Sequence, residues 1–391
     1  MQRTTRTAGS STALDASRTT PVARAVSTGQ PGPTTGQPGL TTGQPGLTTG
    51  QPGLSTGQPG PTTGQPGLTT GQPGLTTGQP GPTPGQPGLT TTVPREYVHR
   101  AAVSEVFLTR WEPGEPGGAD CFTVTAQWPR GHALFTPSGG YQDPLLLAES
   151  VRQTGTLLAH AEYGVPFGHQ FLMRSLSFSA APDALTTGPT PTEVELRVTC
   201  HDMVHRAGRL AGMSYRVTLV RDGVRAATAE AAFSCASPSV YRRLRGERST
   251  ATTLPVPPGI PPAVVGRADP RDVVLAAAGP HHHRRHHHQW QFRVDTSHPI
   301  LFDHPVDHVP GMALIESARQ AAHAATGLPD ALPVVLDSTF ERYADLDAPC
   351  WIDAHPGEPD RTGRIPVSVR GTQRGATVFS ATVVLRPHPD R

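Results

Sequence analysis

Lysine is absent from this chain of 391 residues, so all 33 basic residues are arginines. Any fixed cationic contact with a phosphate or a carboxylate must therefore come from a guanidinium group, which is planar and always charged. Without lysine the chain can hold no GxxxxGK phosphate loop, and it contains neither a GxGxxG fingerprint nor a GxSxG nucleophile elbow. These absences disfavour covalent serine catalysis and give no reason to expect a cofactor.

Strong charge, paired cysteines and long apolar runs are also missing. The formal net charge is only +2, which is too small to predict a nucleic-acid or membrane partner. Four widely spaced cysteines without a CxxC pair suit free thiols in a reducing compartment. No apolar run is long enough for a membrane span, and the N-terminal residues lack the apolar core of a secretory signal. We therefore expect a cytoplasmic protein without a metal.

Residues 28–90 are a low-complexity repeat of nine heptapeptides of the form TGQPGLT. Its glycines alternate three and four residues apart, so the glycine at every third residue that collagen needs is missing. A tract of this composition has almost nothing to bury and cannot offset its chain entropy. We expect residues 1–92 to be a disordered tail, and its role is not legible from the sequence.

The rest of the chain shows one α+β pattern twice. Two short strands, a helix and a run of antiparallel strands are expected over 93–240, and the same order recurs over 266–391. A Pro-rich and Arg-rich linker at 241–265, with solvated arginines, separates them. One long helix wrapped by a curved antiparallel sheet is the hotdog arrangement. The sequence therefore predicts a tandem hotdog.

Both helices carry clear end signals. Asp143 is a good N-cap for the first helix, and Gly164 suits a left-handed C-cap beyond it. Gly327 ends the second helix in the same way. Strand patterns over 102–108 and 272–276 are expected to open the two halves.

A five-residue motif occurs once in each predicted helix. Glu149, Arg152 and Gln153 of the first helix match Glu316, Arg319 and Gln320 of the second, and the i,i+3 and i,i+4 spacings place each trio on one helix face. The flanking residues are apolar nearly all round, which indicates buried helices. Charges on such a helix must be paired or line a pocket. An intrahelical ion pair without a catalytic role is the alternative.

The segment before the second helix, residues 298–312, crowds imidazoles and carboxylates against a helix N-terminus. Asp303, His304, Asp307 and His308 precede Gly311, where free backbone N–H groups and the positive end of the helix dipole converge. This arrangement suits an anion, or a thioester carbonyl that becomes an oxyanion. Ordinary capping and turn chemistry is the alternative for these four side chains.

Long stretches of the sequence resemble the AfsA family. The second-half string is DHPVDHVPGMALIESARQAA, and the first-half strings are HRAAVSEVFLT, AQWPRGH, DPLLLAESVRQTG and AHAEYGVPFGHQFLMRSL. The resemblance covers about 295 residues from His99 on, and composite strings of this length are specific. It implies a tandem hotdog enzyme distantly related to the hydroxyacyl-carrier-protein dehydratases. Two features depart from the family: the heptapeptide tail, and Gln142, which stands where a His is expected.

The resemblance implies transfer of a β-ketoacyl group from acyl carrier protein to the hydroxyl of dihydroxyacetone phosphate, an early step towards γ-butyrolactone signals. The family's functional residues fall on Glu149, Arg152, Glu316 and Arg319. We expect Glu316 to act as general base and Arg319 to hold the phosphate, or to keep Glu316 ionised. The substrate-binding residues are expected to be His308, Asp307, His304, Gly311, Gln320 and Gln153.

Two other functions remain open from the sequence. A hydroxyacyl-thioester dehydratase would use His304 or His308 with Glu316 on one substrate carbon, although the arginine after the glutamate would then lack a partner. A binding protein that senses an acyl thioester or a butyrolactone would show no turnover. The histidine run at His281–His288 is expected to be a solvated hairpin tip and not a metal site.

Overall fold

The structure, a computed structural model, describes residues 89–388 except 115–117, 119, 247, 249–252 and 280–287. Residues 1–88 of the tail predicted over 1–92 lie outside the described residues. The predicted hairpin tip also lies outside them, apart from His288. Val93 is the first buried residue among those that the structure describes, and its N–H donates to the carbonyl of Leu108 at 2.9 Å.

The described chain folds as two halves with the same order of elements. The first half contains β1 (Leu108–Pro113), β2 (Cys121–Trp128), α1 (Leu145–Ala161), β3 (Gln170–Ala180), β4 (Thr192–Arg206), β5 (Arg209–Arg221) and β6 (Val224–Ala236). A short helix, α2 (Pro238–Arg245), follows. The second half contains β7 (Leu275–Ala277), β8 (Gln289–Phe292), α3 (Gly311–Thr326), β9 (Leu332–Phe340), β10 (Cys350–Pro356), β11 (Ile365–Gln373) and β12 (Ala376–Arg386).

All twelve strands join in one antiparallel sheet that is symmetric in strand order. The order is β1-β2-β4-β5-β6-β3-β9-β12-β11-β10-β8-β7, so each strand of the first half has its counterpart in the second. The halves meet where β3 pairs with β9, from Ser175 opposite Thr339 to Ser179 opposite Val335. Helix α1 packs against the strands of its own half, and α3 against those of its half. The tandem hotdog predicted from the sequence is confirmed.

The sheet wraps both long helices and buries them. Local interactions fix their ends. The carboxylate of Asp143 accepts the N–H of Leu145 at 2.9 Å, and Gly327 ends α3 in the left-handed conformation at φ 67°. Midway along α1, Gly155 lets Tyr215 approach closely enough to donate its hydroxyl to the carbonyl of Val151 at 2.7 Å. A side chain at position 155 would collide with the Tyr215 ring. No helix within the described residues is long and apolar enough to span a membrane.

The strands expected at 102–108 and 272–276 begin later than predicted, and the first, Leu108–Pro113, shares only Leu108 with the expected range. The strand of the first half begins only at Leu108, and that of the second only at Leu275. In each half a helix glutamine takes the backbone N–H just before the strand: Gln153 accepts from Phe107 at 3.0 Å, and Gln320 accepts from Val274 at 2.9 Å. These hydrogen bonds tie the segments to the helices, which the strand pattern could not reveal.

The segment expected to be a solvated linker contributes to the core. Helix α2 crosses the predicted boundary at 240/241, with Ser237 as N-cap. Arg245, at its end, is only 3% exposed. It donates to Asp307 at 3.0 Å and to Asp345 at 2.8 Å, and it lies over the ring of Tyr343. The expectation of solvated arginines is therefore wrong for Arg245, because these carboxylates compensate for its burial.

Candidate active site

The first-half motif forms an ion cluster around Glu149. Its carboxylate receives Arg152 at 2.9 and 2.7 Å, Arg100 at 3.0 and 2.6 Å, and Gln153 at 2.7 Å. Arg100, which lies 49 residues before Glu149, also reaches the second half, where it donates to the carbonyl of Ile300 at 3.0 Å. The Glu149 side chain itself is fully buried. The motif therefore holds two arginines in fixed positions.

The second-half motif repeats this cluster around Glu316. Arg319 donates to the carboxylate at 2.9 and 2.6 Å, Arg267 lies at 3.0 and 2.7 Å, and Gln320 donates at 2.5 Å. Arg267 also crosses between the halves, where it donates to the carbonyl of Leu134. Arg267 thus corresponds to Arg100. The duplicated fold carries the same four-residue cluster twice.

Neither glutamate is suited to accept a proton. Burial alone would raise the pKa of Glu149, but the charges of Arg100 and Arg152 outweigh it and lower that pKa to about 2. Arg267 and Arg319 likewise lower the pKa of Glu316 to about 2 against the effect of burial. Both oxygens of each carboxylate are already hydrogen-bonded to arginine, and both side chains are buried away from any substrate. The geometry favours anchoring of the arginines over the general-base role expected from the sequence.

A cavity of about 440 Å³ lies between the halves next to the first cluster. Its first-half walls come from β3, β6, the segment at His99 and Arg100, and Arg152 of α1. Its second-half walls come from residues 300–312 and 340–344. Apolar side chains form much of the lining: Phe171, Met173, Phe233, Leu301, Phe302 and Phe340.

Only the first cluster opens to this cavity. Arg100 and Arg152 line it, whereas Arg267, Glu316 and Arg319 do not. Arg152 is 16% exposed in its side chain, and its Nη1 makes no hydrogen bond to any described residue. Nη1 of Arg152 therefore remains free to bind an anion.

The second cluster is closed by a histidine from its own helix. His323, seven residues after Glu316, stands where Thr156 stands after Glu149, and its Nδ1 lies 3.4 Å from Nη1 of Arg319. Its Nε2 lies 3.0 Å from the carbonyl of Ala331. Burial, followed by the charge of Arg319, lowers the pKa of His323 to about 3. A neutral ring thus occupies the space that a ligand would need.

Asp303 and His304 of the predicted loop meet the first cluster across the halves. The carboxylate of Asp303 accepts the N–H of Ala101 at 2.9 Å and lies 3.6 Å from Arg100. Nδ1 of His304 lies 2.6 Å from the same carboxylate, and both residues line the cavity. The structure therefore brings this part of the loop to Arg100 of the first cluster and not to Arg319.

Asp307 has a different environment. Its carboxylate accepts from Tyr241 at 2.5 Å and from Arg245 at 3.0 Å, and it lies 2.8 Å from Nδ1 of His308. Although burial opposes it, these hydrogen bonds and the charge of Arg245 hold the pKa of Asp307 well below its usual range. His308 lines the cavity, but Asp307 does not. Asp307 positions His308 and α2.

The N-terminus of α3 faces the cavity at Gly311 and Met312. No side chain caps this end, and the carbonyl of Pro310 accepts the N–H groups of Ala313 and Leu314. The N–H groups of Gly311 and Met312 have no hydrogen-bond partner among the described residues. Two free N–H groups at the positive end of a helix dipole can stabilise an oxyanion.

Several residues at the cavity carried no sequence signal of their own. Arg100 and His99 lie in a segment whose only sequence signal is its resemblance to the family. Arg174 and Arg342 lie at either side of the β3–β9 junction. Gln153 and Gln320, by contrast, are fully buried and do not line the cavity. Their hydrogen bonds to backbone indicate a positioning role.

Comparison with known proteins identifies the family. The family model described as "A-factor biosynthesis hotdog domain" matches residues 82–237 and 249–388. The chain belongs to the AfsA family. A "2-oxo-3-(phosphooxy)propyl 3-oxoalkanoate synthase" of Streptomyces virginiae is 52% identical over 76% of this chain and 98% of that relative. The synthase of the same name from Streptomyces coelicolor is 41% identical over 74% of this chain and 90% of that relative.

Solved structures resemble this AfsA-family chain only distantly. The 12:0-ACP thioesterase from Umbellularia californica is 9% identical with a TM-score of 0.43, over 68% of this chain and 94% of that one. A likeness of this size carries no argument about function.

Proposed function

We propose that this AfsA-family chain transfers a β-ketoacyl group from acyl carrier protein to the hydroxyl of dihydroxyacetone phosphate, in the cavity beside the first cluster. The observation that carries the proposal is the free Nη1 of Arg152, next to Arg100, in a cavity with an otherwise largely apolar wall. The name of these relatives describes an ester of this kind. It joins a phosphooxy group to a 3-oxoalkanoate.

The phosphate belongs at Arg100 and Arg152. Four arginines line the cavity against two carboxylates, Asp303 and Glu341. Glu149 fixes both guanidinium groups, so little side-chain entropy is lost when an anion binds. A phosphate oxygen can accept a charge-assisted hydrogen bond from the free Nη1 of Arg152, whereas a neutral acyl chain would leave that nitrogen without a partner. The phosphate therefore anchors the acceptor substrate beside α1.

The thioester belongs at the opposite wall. A carbonyl placed at the N–H groups of Gly311 and Met312 would be polarised before attack, and its oxyanion would be stabilised there. The aromatic and aliphatic lining then holds the apolar acyl chain. His304 and His308 flank this position on the second-half loop. The two substrates thus approach from different halves of the chain.

Delivery by acyl carrier protein is part of the proposal. Arg174 and Arg342 are exposed and line the cavity. A negatively charged carrier would be attracted to these side chains, and its thioester arm could then enter between the halves. We place the reaction in the cytoplasm, where carrier-bound acyl groups and dihydroxyacetone phosphate occur together.

Mass spectrometry of the products tests the proposal. The protein is mixed with a β-ketoacyl carrier protein and dihydroxyacetone phosphate, and the ester with one acyl group and one phosphate is expected. Water loss from a 3-hydroxyacyl carrier would instead support a dehydratase. Tight binding of acyl thioester without any product would support a non-catalytic sensor. The dehydratase also conflicts with the geometry, because Glu316 does not line the cavity that His304 and His308 share.

A further inference from the structure

His99 has an unusual backbone at the edge of the cavity. It adopts the left-handed conformation at φ 53°, which costs energy for any residue with a side chain. Its counterpart before Arg267 in the second half is Gly266, at φ 65°. A Cβ at Gly266 would collide with the Pro329 carbonyl and lie 3.3 Å from the His323 ring. Only the half with the open cavity therefore retains an imidazole at this position.

A second histidine fixes the proton on the His99 ring. Nδ1 of His160 lies 2.6 Å from the carbonyl of Val165, which can only accept, so this nitrogen carries hydrogen. In a neutral ring Nε2 of His160 must then accept, and Nε2 of His99 lies 2.8 Å away. His99 therefore donates from Nε2, and its Nδ1 carries a lone pair. No described residue hydrogen-bonds to that Nδ1, and the ring lines the cavity.

The electrostatic surroundings of His99 keep this lone pair available. Burial lowers the pKa of His99 to about 3, and the nearby charges of His160, Arg152 and His304 contribute in the same direction. The ring is therefore neutral at physiological pH. A phosphate at Arg100 and Arg152 would add negative charge beside it and raise its basicity only when the acceptor is bound.

We infer that His99 is the general base of the transfer and that His160 is the positioning residue that fixes its tautomer. This inference rests on the proposed function. Nδ1 of His99 takes the proton of the dihydroxyacetone phosphate hydroxyl as its oxygen bonds to the thioester carbonyl carbon. The carbon–sulfur bond then breaks, and the imidazolium returns the proton to the leaving sulfur. The products are the ester and the free carrier thiol, so no other reactant is needed.

Chemical rescue separates this role from a structural one. His99→Gly suits the local φ, which offsets part of the cost of removing the ring, so the variant should still fold and leave a hole of ring size. Its turnover should fall by roughly 10²–10⁴-fold, the range for loss of a general base. Added imidazole should restore turnover at least about tenfold, while calorimetric affinity for dihydroxyacetone phosphate stays within about twofold. His355→Ala, on the exposed face of β10, is the control and should retain wild-type rates.

His304→Gly tests the alternative that His304 is the general base, because His304 also lines the cavity. Its turnover should not be restored by imidazole. His160→Phe should lower kcat by roughly tenfold with an unchanged KM for dihydroxyacetone phosphate, because it removes the acceptor that selects the His99 tautomer. Rescue of His304→Gly in place of His99→Gly would overturn the inference, as would wild-type turnover by His99→Gly. If the wild-type chain forms no ester, the proposed function fails first.

Discussion

The two ion clusters each contain one Glu, two Arg and one Gln with the same hydrogen bonds, yet one opens to a cavity and the other is sealed. Two positions account for much of the contrast. Thr156 in the first half corresponds to His323 in the second, and His99 corresponds to Gly266. In the second half the imidazole of His323 projects from α3 and fills the site. In the first half the imidazole of His99 projects from the loop before Arg100 and lines the cavity. A duplicated buried motif therefore does not imply two active sites.

Each cluster also joins the halves. Arg100 reaches the carbonyl of Ile300 and Arg267 reaches that of Leu134, and both carbonyls follow a histidine that accepts two backbone N–H groups, His298 and His132. Buried ion pairs are often no more stabilising than apolar packing. They do fix geometry, and the sealed cluster, which does not line the cavity, is suited to this structural role.

Removal of an arginine from the sealed cluster should give the largest loss of stability. Arg267→Ala leaves Glu316 buried with half of its cationic partners, so the free energy of unfolding should fall by about 3–5 kcal/mol. Arg100→Ala should cost less, because water in the cavity can solvate Glu149. Urea unfolding of both variants measures the difference. Arg271→Ala removes an ion pair with Asp269 in which the Arg271 side chain is 75% exposed. The free energy of unfolding should therefore fall by less than about 1 kcal/mol. Equal losses at Arg267 and Arg100 would contradict the contrast between the clusters.

Acid should destabilise the chain in two stages. His99 and His323 have pKa values lowered to about 3 from the ordinary 6.5, so below pH 6.5 the unfolded chain binds more protons and stability falls towards pH 3. Glu149 and Glu316 have pKa values lowered to about 2 from 4.5, so their stabilisation is lost as the pH falls through this lower range. Unfolding free energies from about pH 7.5 to about pH 5 test the first stage. His99→Gly should flatten the slope, and no slope in the wild-type chain would contradict the buried neutral rings.

The sequence predicted much of the fold and half of the site. The approximate extent of both long helices, their burial and the pairing of Glu149 with Arg152 follow from spacing and apolar flanks. The C-cap of α1 is Glu162 in a right-handed conformation, so the prediction that Gly164 is the C-cap is wrong, although Gly164 does adopt a left-handed φ. Arg100 and His99 could not be assigned, because they reach the cluster through a fold that brings residues 49 apart in sequence together. Closure of the second site also escaped prediction. It depends on how His323 fills the space over Gly266, which spacing does not encode.

Deletion of the repeats should have the smallest effect. A chain beginning at Leu89 keeps every contact of the described residues, including the hydrogen bond from Val93 to Leu108. Its turnover should stay within about twofold of the full chain, well below the 1.4 kcal/mol of a tenfold change. Steady-state rates of the two chains provide the measurement. A tenfold loss would show that the repeats contribute to substrate or carrier binding.

The claim that one site per chain binds the acceptor is tested most directly by calorimetric titration with dihydroxyacetone phosphate. Arg152→Gln and Arg319→Gln are matched changes at equivalent helix positions of the open and the sealed cluster. The account predicts one equivalent bound per wild-type chain, binding weakened by roughly 10–100-fold in Arg152→Gln, and near-normal binding in folded Arg319→Gln. Two equivalents per chain, or loss of binding in Arg319→Gln with retention in Arg152→Gln, would contradict it.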